Sequence, residues 1–170
     1  MGAETVKLNS SYTLKDAYVT SSSVNTNFGS DTSFFVKAGT PKMTSYLTFN
    51  LSAFSSSQII DSAQFCSYLH RDQGTQTIGV FQVYSGWSED TITWNNQPCG
   101  TNFDNATACN LTSESSQITN GDLQEKWTCW NVTNMLSVQY SSNYNNLSFA
   151  LRTSDSGNED MFYSREYTNS

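Results

Sequence analysis

Short segments in which apolar and polar residues alternate recur along the chain, and this period of two constrains the fold more than any other feature. In the segment SYLTFNLS (45–52), Leu47, Phe49 and Leu51 share the buried face of a predicted strand. The same alternation places Tyr46, Thr48 and Asn50 on the outer face. Eight or more such segments, separated by Gly, Asn, Asp and Pro, predict an all-β fold, namely a two-sheet antiparallel β-sandwich of the jelly-roll type.

The segments can be placed along the chain, and no stretch of convincing length has the helical period. A short turn or helix is predicted at 134–140, directly after one of the strands. The predicted strands lie at 16–23, 33–39, 45–52, 62–71, 77–84, 126–133, 147–153 and 161–167.

Alternation also predicts which side chains of each strand face the core. Phe34 and Val36 share one face of their strand. On the strand 62–71, the inward residues are Ala63, Phe65 and Leu69, and the outward residues are Cys66, Tyr68 and His70. Gly79 leaves the phase of the strand 77–84 open. Its core side is formed either by Ile78, Val80 and Gln82 or by Phe81 and Val83.

The 170 residues fit one domain over 1–170, and the charge limits its partners. A net charge of -7 repels nucleic acid, and no apolar run approaches the ~18 residues of a membrane span. We predict a monomer with neither kind of partner. The start, MGAETVKL, lacks an apolar stretch, so we expect no signal peptide in it. Met1 and Gly2 are expected to be additions before a mature terminus near Ala3.

The four cysteines predict disulfides rather than a metal site. They form no Cys-x-x-Cys pattern, and His70, the single histidine, has no partner at metal-ligand spacing. Cys99 and Cys109 bracket a polar loop, whereas Cys66 and Cys129 face outward if Trp130 is core. Among three connectivities, we therefore predict Cys66–Cys129 and Cys99–Cys109, formed in an oxidising compartment.

Six N-x-S/T sequons add modest support for a secreted or cell-surface glycoprotein, because several would arise by chance in so Asn-rich a chain. They begin at Asn9, Asn50, Asn105, Asn110, Asn131 and Asn146.

Several of these segments carry a family resemblance. DAYV, NTNFGSDTSFFV, SYLTFNLS, VFQVYSGWSEDTITWNNQP and FALRTSDSGNEDMFYSREYTN, in this order, resemble the DNRLRE domain family, from about Asp16 to Asn169. This family is related to the carbohydrate-binding module of some alginate lyases and to disaggregatase-associated domains. Asn50 stands where members often carry an acidic residue, and the four cysteines lie outside the family pattern. The resemblance implies an extracellular, non-catalytic β-sandwich module, commonly attached to polysaccharide-active enzymes or cell-surface proteins.

The stretch YSGWSEDTITWNNQPCG (84–100) holds two of the four tryptophans. We predict that Trp87 and Trp94 form a structural corner that plugs one end of the sandwich. The alternative is an exposed platform on which sugar rings stack.

The candidate glycan-binding residues are the few basic residues in or beside strands, together with tyrosines. Their polar end groups can form hydrogen bonds with the hydroxyls or carboxylates of a sugar. The alternative for Arg165, with Glu166 in the SRE segment, is a structural ion-pair network. The candidate carbohydrate-binding residues are Lys37, Tyr68, Arg71, Arg152, Tyr163 and Arg165.

The acidic turn DSGNED offers oxygen ligands for calcium at Asp155, Asn158 and Asp160. Its spacing does not match an EF-hand, and the alternative is a solvated turn. Asp16 with the loop NTNFGSD is a second calcium candidate of equal rank.

The sequence predicts no catalysis, because acidic pairs such as Glu89/Asp90 and Glu159/Asp160 lie in loops beside Ser and Gly. We therefore predict a non-catalytic extracellular carbohydrate-binding module whose partner is a polysaccharide or another glycan. The alternative is a glycosylated structural or adhesive protein of a cell surface or coat.

Overall fold

The computed structural model describes residues 10–52, 54, 59–121, 125–142, 145–155 and 157–168. Within them the chain forms a 3-10 turn (Ser10–Tyr12), nine strands and one α-helix. The strands are β1 (Thr13–Thr20), β2 (Ser33–Val36), β3 (Met43–Asn50), β4 (Gln64–Asp72), β5 (Thr75–Gln82), β6 (Ser115–Asn120), β7 (Lys126–Asn131), β8 (Asn146–Thr153) and β9 (Asp160–Tyr163), and the helix is α1 (Thr133–Ser141).

The strands form two antiparallel sheets, as predicted. One sheet has the order β1-β3-β8-β5-β6 and the other β2-β9-β4-β7. If β1 is set aside and the other eight strands are numbered along the chain, the orders become 2-7-4-5 and 1-8-3-6. This is the strand order of the jelly roll, with β1 added at the edge beside β3.

The main core lies between the two sheets. Phe34, Val36, Leu69 and Phe162 of the four-stranded sheet are all buried, as are Ile78 and Val80 of the other sheet. Trp130 is wholly buried, and its Nε1 donates a hydrogen bond across the interior to the carbonyl of Ile78 at 2.8 Å. The predicted inward faces of these strands are therefore confirmed.

A second core covers the outer face of the five-stranded sheet. The covering loop (residues 83–110) joins β5 to β6 and packs Ile92, Trp94 and Phe103 over this face. Tyr46, predicted to face outward, does so but is wholly buried beneath the covering loop, and its hydroxyl donates to Gln97 Oε1 at 3.0 Å.

Both faces of β5 are buried, so both of the orientations that the sequence left open for this strand contribute side chains to a core. Ile78 and Val80 enter the main core, while Phe81 and Val83 pack in the second core. Trp94 is buried in this second core and Trp87 packs against it, so both tryptophans have a structural role. They cover the outer face of the five-stranded sheet, however, and do not plug an end of the sandwich as predicted.

One strand was missed by the sequence prediction, and the segment predicted as a short turn or helix is the helix α1. The edge strand β6 was not predicted, because its pattern is inverted: Ile118 is exposed, whereas Thr119 is buried. The segment after β7 is a helix, and its Met135 and Leu136 pack into the main core.

Both predicted disulfide pairs are present. Cys66 and Cys129 lie directly opposite each other on β4 and β7, and Cys99–Cys109 closes a segment of the covering loop. Within the described ranges, no helix is long and apolar enough to cross a membrane.

Candidate functional site

The outer surface of the four-stranded sheet carries a row of aromatic side chains. Tyr68 on β4, Trp127 on β7, Tyr163 on β9 and Tyr167 just after β9 form this row, which we call the aromatic face. Tyr68 and Tyr163 point outward because their neighbours in sequence, including Phe162, point into the core. Unlike the other sheet, this surface has no covering loop among the described residues.

The rings of the aromatic face follow one another across three adjacent strands. The Trp127 and Tyr68 ring centroids are 5.3 Å apart, those of Tyr68 and Tyr163 are 6.0 Å apart, and those of Tyr163 and Tyr167 are 3.6 Å apart. Trp127, at the end of the row, has 67% of its surface exposed. The row therefore presents a continuous apolar strip to solvent.

Polar groups line this strip. His70 Nδ1 lies 2.6 Å from Glu125 Oε1 and 2.6 Å from the hydroxyl of Tyr163. The hydroxyl of Tyr68 donates to Glu125 Oε2 at 3.4 Å. The hydrogen bond with Tyr167 and then burial raise the pKa of Tyr163 to about 12, and burial raises the pKa of Tyr68. Both phenols therefore keep their protons at neutral pH and can donate hydrogen bonds.

The Cys66–Cys129 disulfide holds the two strands that carry the first half of the row. Cys66 and Tyr68 lie on the same face of β4, and Cys129 and Trp127 lie on the same face of β7. Because β7 is an edge strand, it is fixed on one side only. The disulfide supplies a covalent link two residue pairs away from the Tyr68–Trp127 contact and so limits the freedom of this contact to move.

Arg71, one of the predicted glycan-binding residues, borders the aromatic face and forms an ion pair with Glu159. Arg71 Nη2 contacts Glu159 Oε1, and Lys37 Nζ lies 3.8 Å from Glu159 Oε2. Arg71 lies opposite Met161 on β9, two residues before Tyr163, so it is at the margin of the strip. Its guanidinium retains other N–H groups for a ligand.

Lys37 and Arg152 line a different feature, a cleft of about 180 Å³ at the margin of the covering loop. Lys42 and Trp94 also line it. The Arg152 guanidinium lies 4.6 Å from the Phe103 ring centroid, and within the described residues it forms no ion pair. Burial lowers the pKa of Arg152, but an arginine stays charged in proteins. The predicted glycan-binding residues are therefore divided between the aromatic face and this cleft.

Arg165 lies neither at the aromatic face nor at the cleft, because it forms the centre of a structural ion-pair network. Its guanidinium contacts the carboxylates of Asp16, Glu89 and Glu166, and its Nη1 donates to the carbonyl of Leu14 at 2.6 Å. The covering loop, β1 and the SRE segment are thereby joined. This is the alternative interpretation that the sequence left open for Arg165.

Burial dominates the electrostatics of this network. It raises the pKa of Asp16 to about 7 and raises the pKa of Glu89. For Glu166 burial acts in the same direction, but the hydrogen bonds, led by that from Arg165, outweigh it and lower its pKa. Carboxylate oxygens of Asp16, Glu89 and Glu166 lie within 4.8 Å of one another, with the guanidinium already among them. The charge that a metal ion would supply is in part provided by Arg165.

The three residues of the acidic turn have different surroundings. Asp155 accepts a hydrogen bond from the backbone N–H of Thr77, and Asn158 donates to the carbonyl of Thr75 at 2.8 Å. Asp160 is wholly buried inside the sandwich. Burial raises the pKa of Asp160 to about 6, and the nearby side chains of Thr119 and Gln76 oppose this shift.

The sequons are spread over the molecule. Asn131 lies on the outer face of β7, as Trp127 does. Asn50 and Asn146 lie opposite each other on β3 and β8, and Asn105 and Asn110 both belong to the covering loop. Asn9 lies outside the described residues.

Trp127 was not among the predicted glycan-binding residues, although the sequence contains a pattern that predicts its outward orientation. Cys129 was assigned outward because it alternates with Trp130, and Trp127 precedes Cys129 by two residues. The same alternation therefore predicts an outward Trp127.

The family comparison matches nearly the whole chain. The family model of carbohydrate-binding module family 96 matches residues 7–170. No curated protein matches the chain. The match agrees with the carbohydrate-binding part of the resemblance noted from the sequence, while the DNRLRE name itself stays a prediction.

Proposed function

The chain belongs to carbohydrate-binding module family 96, and from this premise we propose that it is a non-catalytic, extracellular module that binds glycan on its aromatic face. The observation that carries this proposal is the uncovered row of rings ending in Trp127, which is 67% exposed. Contiguous exposed apolar surface of this kind marks a binding site, since it is unfavourable in water without a partner.

The chemistry of a sugar fits the aromatic face. One face of a pyranose ring presents C–H groups, which pack on the π-face of an indole or phenol, while its hydroxyls point outward around the ring. The hydroxyl oxygens of Tyr68 and Tyr163 and the Glu125 carboxylate border the strip and can accept hydrogen bonds from these hydroxyls. The N–H groups of Arg71 that do not contact Glu159 can donate to them. The aromatic rings would supply the contact area for the sugar, and the polar groups around them would fix its orientation.

Several features support binding without hydrolysis. A glycosidase needs two carboxyl groups about 5–9.5 Å apart on either side of the scissile bond. At the aromatic face, Glu125 interacts with His70 and Tyr68, and Glu159 interacts with Arg71 and Lys37. The strip is an open sheet surface rather than a cleft that flanks a substrate. The two disulfides support a location in an oxidising, extracellular compartment.

Trp127→Ala tests the proposal. We expect affinity electrophoresis on gels containing a polyuronate or a neutral glucan to show retardation of the wild type and at least about tenfold weaker binding by the variant, because its largest stacking ring is lost. Tyr84→Ala is the matched control, since Tyr84 is also an exposed aromatic residue (54%) but lies in the covering loop. Equal binding by wild type and Trp127→Ala would contradict the aromatic face as the site. No binding at millimolar sugar would contradict the function.

A second candidate, the glycosylated structural or adhesive protein, draws on the position of Asn131. Asn131 follows Trp127 by four residues on the same face of an edge strand, roughly 13 Å away. A glycan attached there would reach over the aromatic face and hinder a polysaccharide. Mass spectrometry of the secreted protein separates the candidates: full occupancy of Asn50, Asn131 and Asn146 favours the structural role, and an unmodified Asn131 favours binding.

A further inference from the structure

Four polar side chains are buried together at one end of the sandwich interior. Asp72 ends β4 and lies opposite Asp160, which begins β9. On the other sheet, Gln76 of β5 lies opposite Thr119 of β6. Each of the four residues is at most 1% exposed. The side chains of Gln76 and Thr119 lie against the Asp160 carboxylate, so the two sheets contribute to one polar cluster, which we call the interior oxygen cluster.

The cluster contains more buried oxygen atoms than hydrogen-bond donors. The Asp72 carboxylate accepts from the backbone N–H groups of Gly74 and Asn120, both at 3.1 Å. Neither carboxylate oxygen of Asp160 has a hydrogen-bond partner, and the Gln76 side-chain oxygen has none. The Gln76 amide nitrogen is directed instead at the Val36 carbonyl, 3.5 Å away. Buried polar atoms in folded proteins nearly always have partners, so these three oxygens require one.

The charges of the cluster also need a partner. Asp72 and Asp160 lie directly opposite each other, and no basic side chain forms an ion pair with either of them within the described ranges. Two neighbouring buried carboxylates are strongly unfavourable unless a cation or a proton neutralises them. The network around Arg165 meets the same need with a guanidinium, and the interior oxygen cluster has no such group.

We propose that Asp72, Gln76, Thr119 and Asp160 bind a divalent cation of the calcium type inside the sandwich. The potential ligands are all oxygens: two carboxylates, an amide carbonyl and a hydroxyl. Such a set is typical of hard cations, and calcium takes six to eight oxygen ligands, including amide oxygens and water. Two negative charges match a divalent ion. Because two ligands come from each sheet, the ion would clamp the sheets together, so its role is in stability and is independent of glycan binding.

Calcium-dependent unfolding tests this site. We expect the Tm of the wild type, stripped with a chelator and then given calcium at about 100-fold above its dissociation constant, to rise by about 5–10 °C. Elemental analysis of the reloaded protein should find one calcium per chain. In Asp160→Asn, which removes one buried charge at nearly constant shape, the calcium-dependent rise should disappear while the stripped protein stays folded. If that variant does not fold, Gln76→Met, which removes a neutral ligand, should weaken calcium binding at least about tenfold.

Asp155→Asn is the matched control, because Asp155 lies at the partly exposed start of the acidic turn, five residues before Asp160, and is not part of the interior oxygen cluster. It should keep the full calcium response. Loss of that response in Asp155→Asn, with retention in Asp160→Asn, would place calcium in the turn and overturn the proposal. A wild type without calcium-dependent stability or bound calcium would also overturn it, and would assign neutralisation of the two aspartates to a proton.

Discussion

Both outer surfaces of the sandwich carry aromatic residues, but those on one surface are buried and those on the other are exposed to solvent. Tyr46 on the five-stranded sheet is wholly buried under the covering loop, whereas Trp127 on the four-stranded sheet is mostly exposed. Both point away from the main core by the same alternation of strand residues. The difference comes from a loop of 28 residues (83–110), closed in part by Cys99–Cys109 and attached at one end by Arg165. The covered aromatic residues therefore stabilise the fold, and the uncovered ones remain free to bind a ligand.

Tyr46→Ala should give the largest effect, because it removes a buried ring and leaves Gln97 Oε1 without its hydrogen-bond donor. We expect a loss of about 5 kcal/mol in the free energy of unfolding, measured by chemical denaturation. The same truncation on the other surface, Trp127→Ala, should lose only about 0.5 kcal/mol. Equal losses would remove the distinction between the two surfaces.

The two disulfides should contribute unequally. Cys66–Cys129 closes a loop of 63 residues and Cys99–Cys109 one of 10. Chain entropy then predicts a loss of about 4 kcal/mol for the double change Cys66→Ser/Cys129→Ser and about 3 kcal/mol for Cys99→Ser/Cys109→Ser. Limited proteolysis should show a further contrast: only the second variant should be cut first within the covering loop. Early cleavage of the covering loop in the first variant would show that the disulfides do not act on separate surfaces.

The attachment of the covering loop should depend on pH through Asp16. Its pKa is about 7 in the folded protein, against 3.8 ordinarily, so the folded protein retains a proton that the unfolded chain releases. This contribution to stability is complete below about pH 4, falls as the pH rises and is lost above about 7. Unfolding measured from pH 4 to 8 should show this decline in the wild type and a smaller one in Asp16→Asn. Parallel curves would exclude Asp16 as the titrating group.

The comparison also explains what the sequence could predict. Local alternation correctly oriented Cys66, Tyr68 and His70, because one strand contains all the information needed. It could not predict the burial of Tyr46, since the residues that cover it, such as Gln97, lie about fifty positions away. The strand β6 was missed for a related reason: its Thr119 is buried against Gln76 of the neighbouring strand, and no local pattern indicates that contact.

The candidate site was predicted only in part for the same reason. Tyr68, Tyr163 and Arg71 were selected individually from their strands, but their alignment with Trp127 depends on the order of β7, β4 and β9 in the sheet. Arg165 and Glu89, which are 76 residues apart, both lie within segments that carry the resemblance. Their contact assigns these two residues to the attachment of the covering loop rather than to glycan binding.

Footprinting of the glycan complex tests the central claim most directly. Hydroxyl-radical labelling, read by mass spectrometry, would be compared with and without the polyuronate or neutral glucan that binds more tightly. The account predicts that the polysaccharide protects Trp127 and the tyrosines of the aromatic face, and leaves Tyr84 of the covering loop labelled as before. Equal labelling of Trp127 in the two samples, although the polysaccharide is bound, would contradict it.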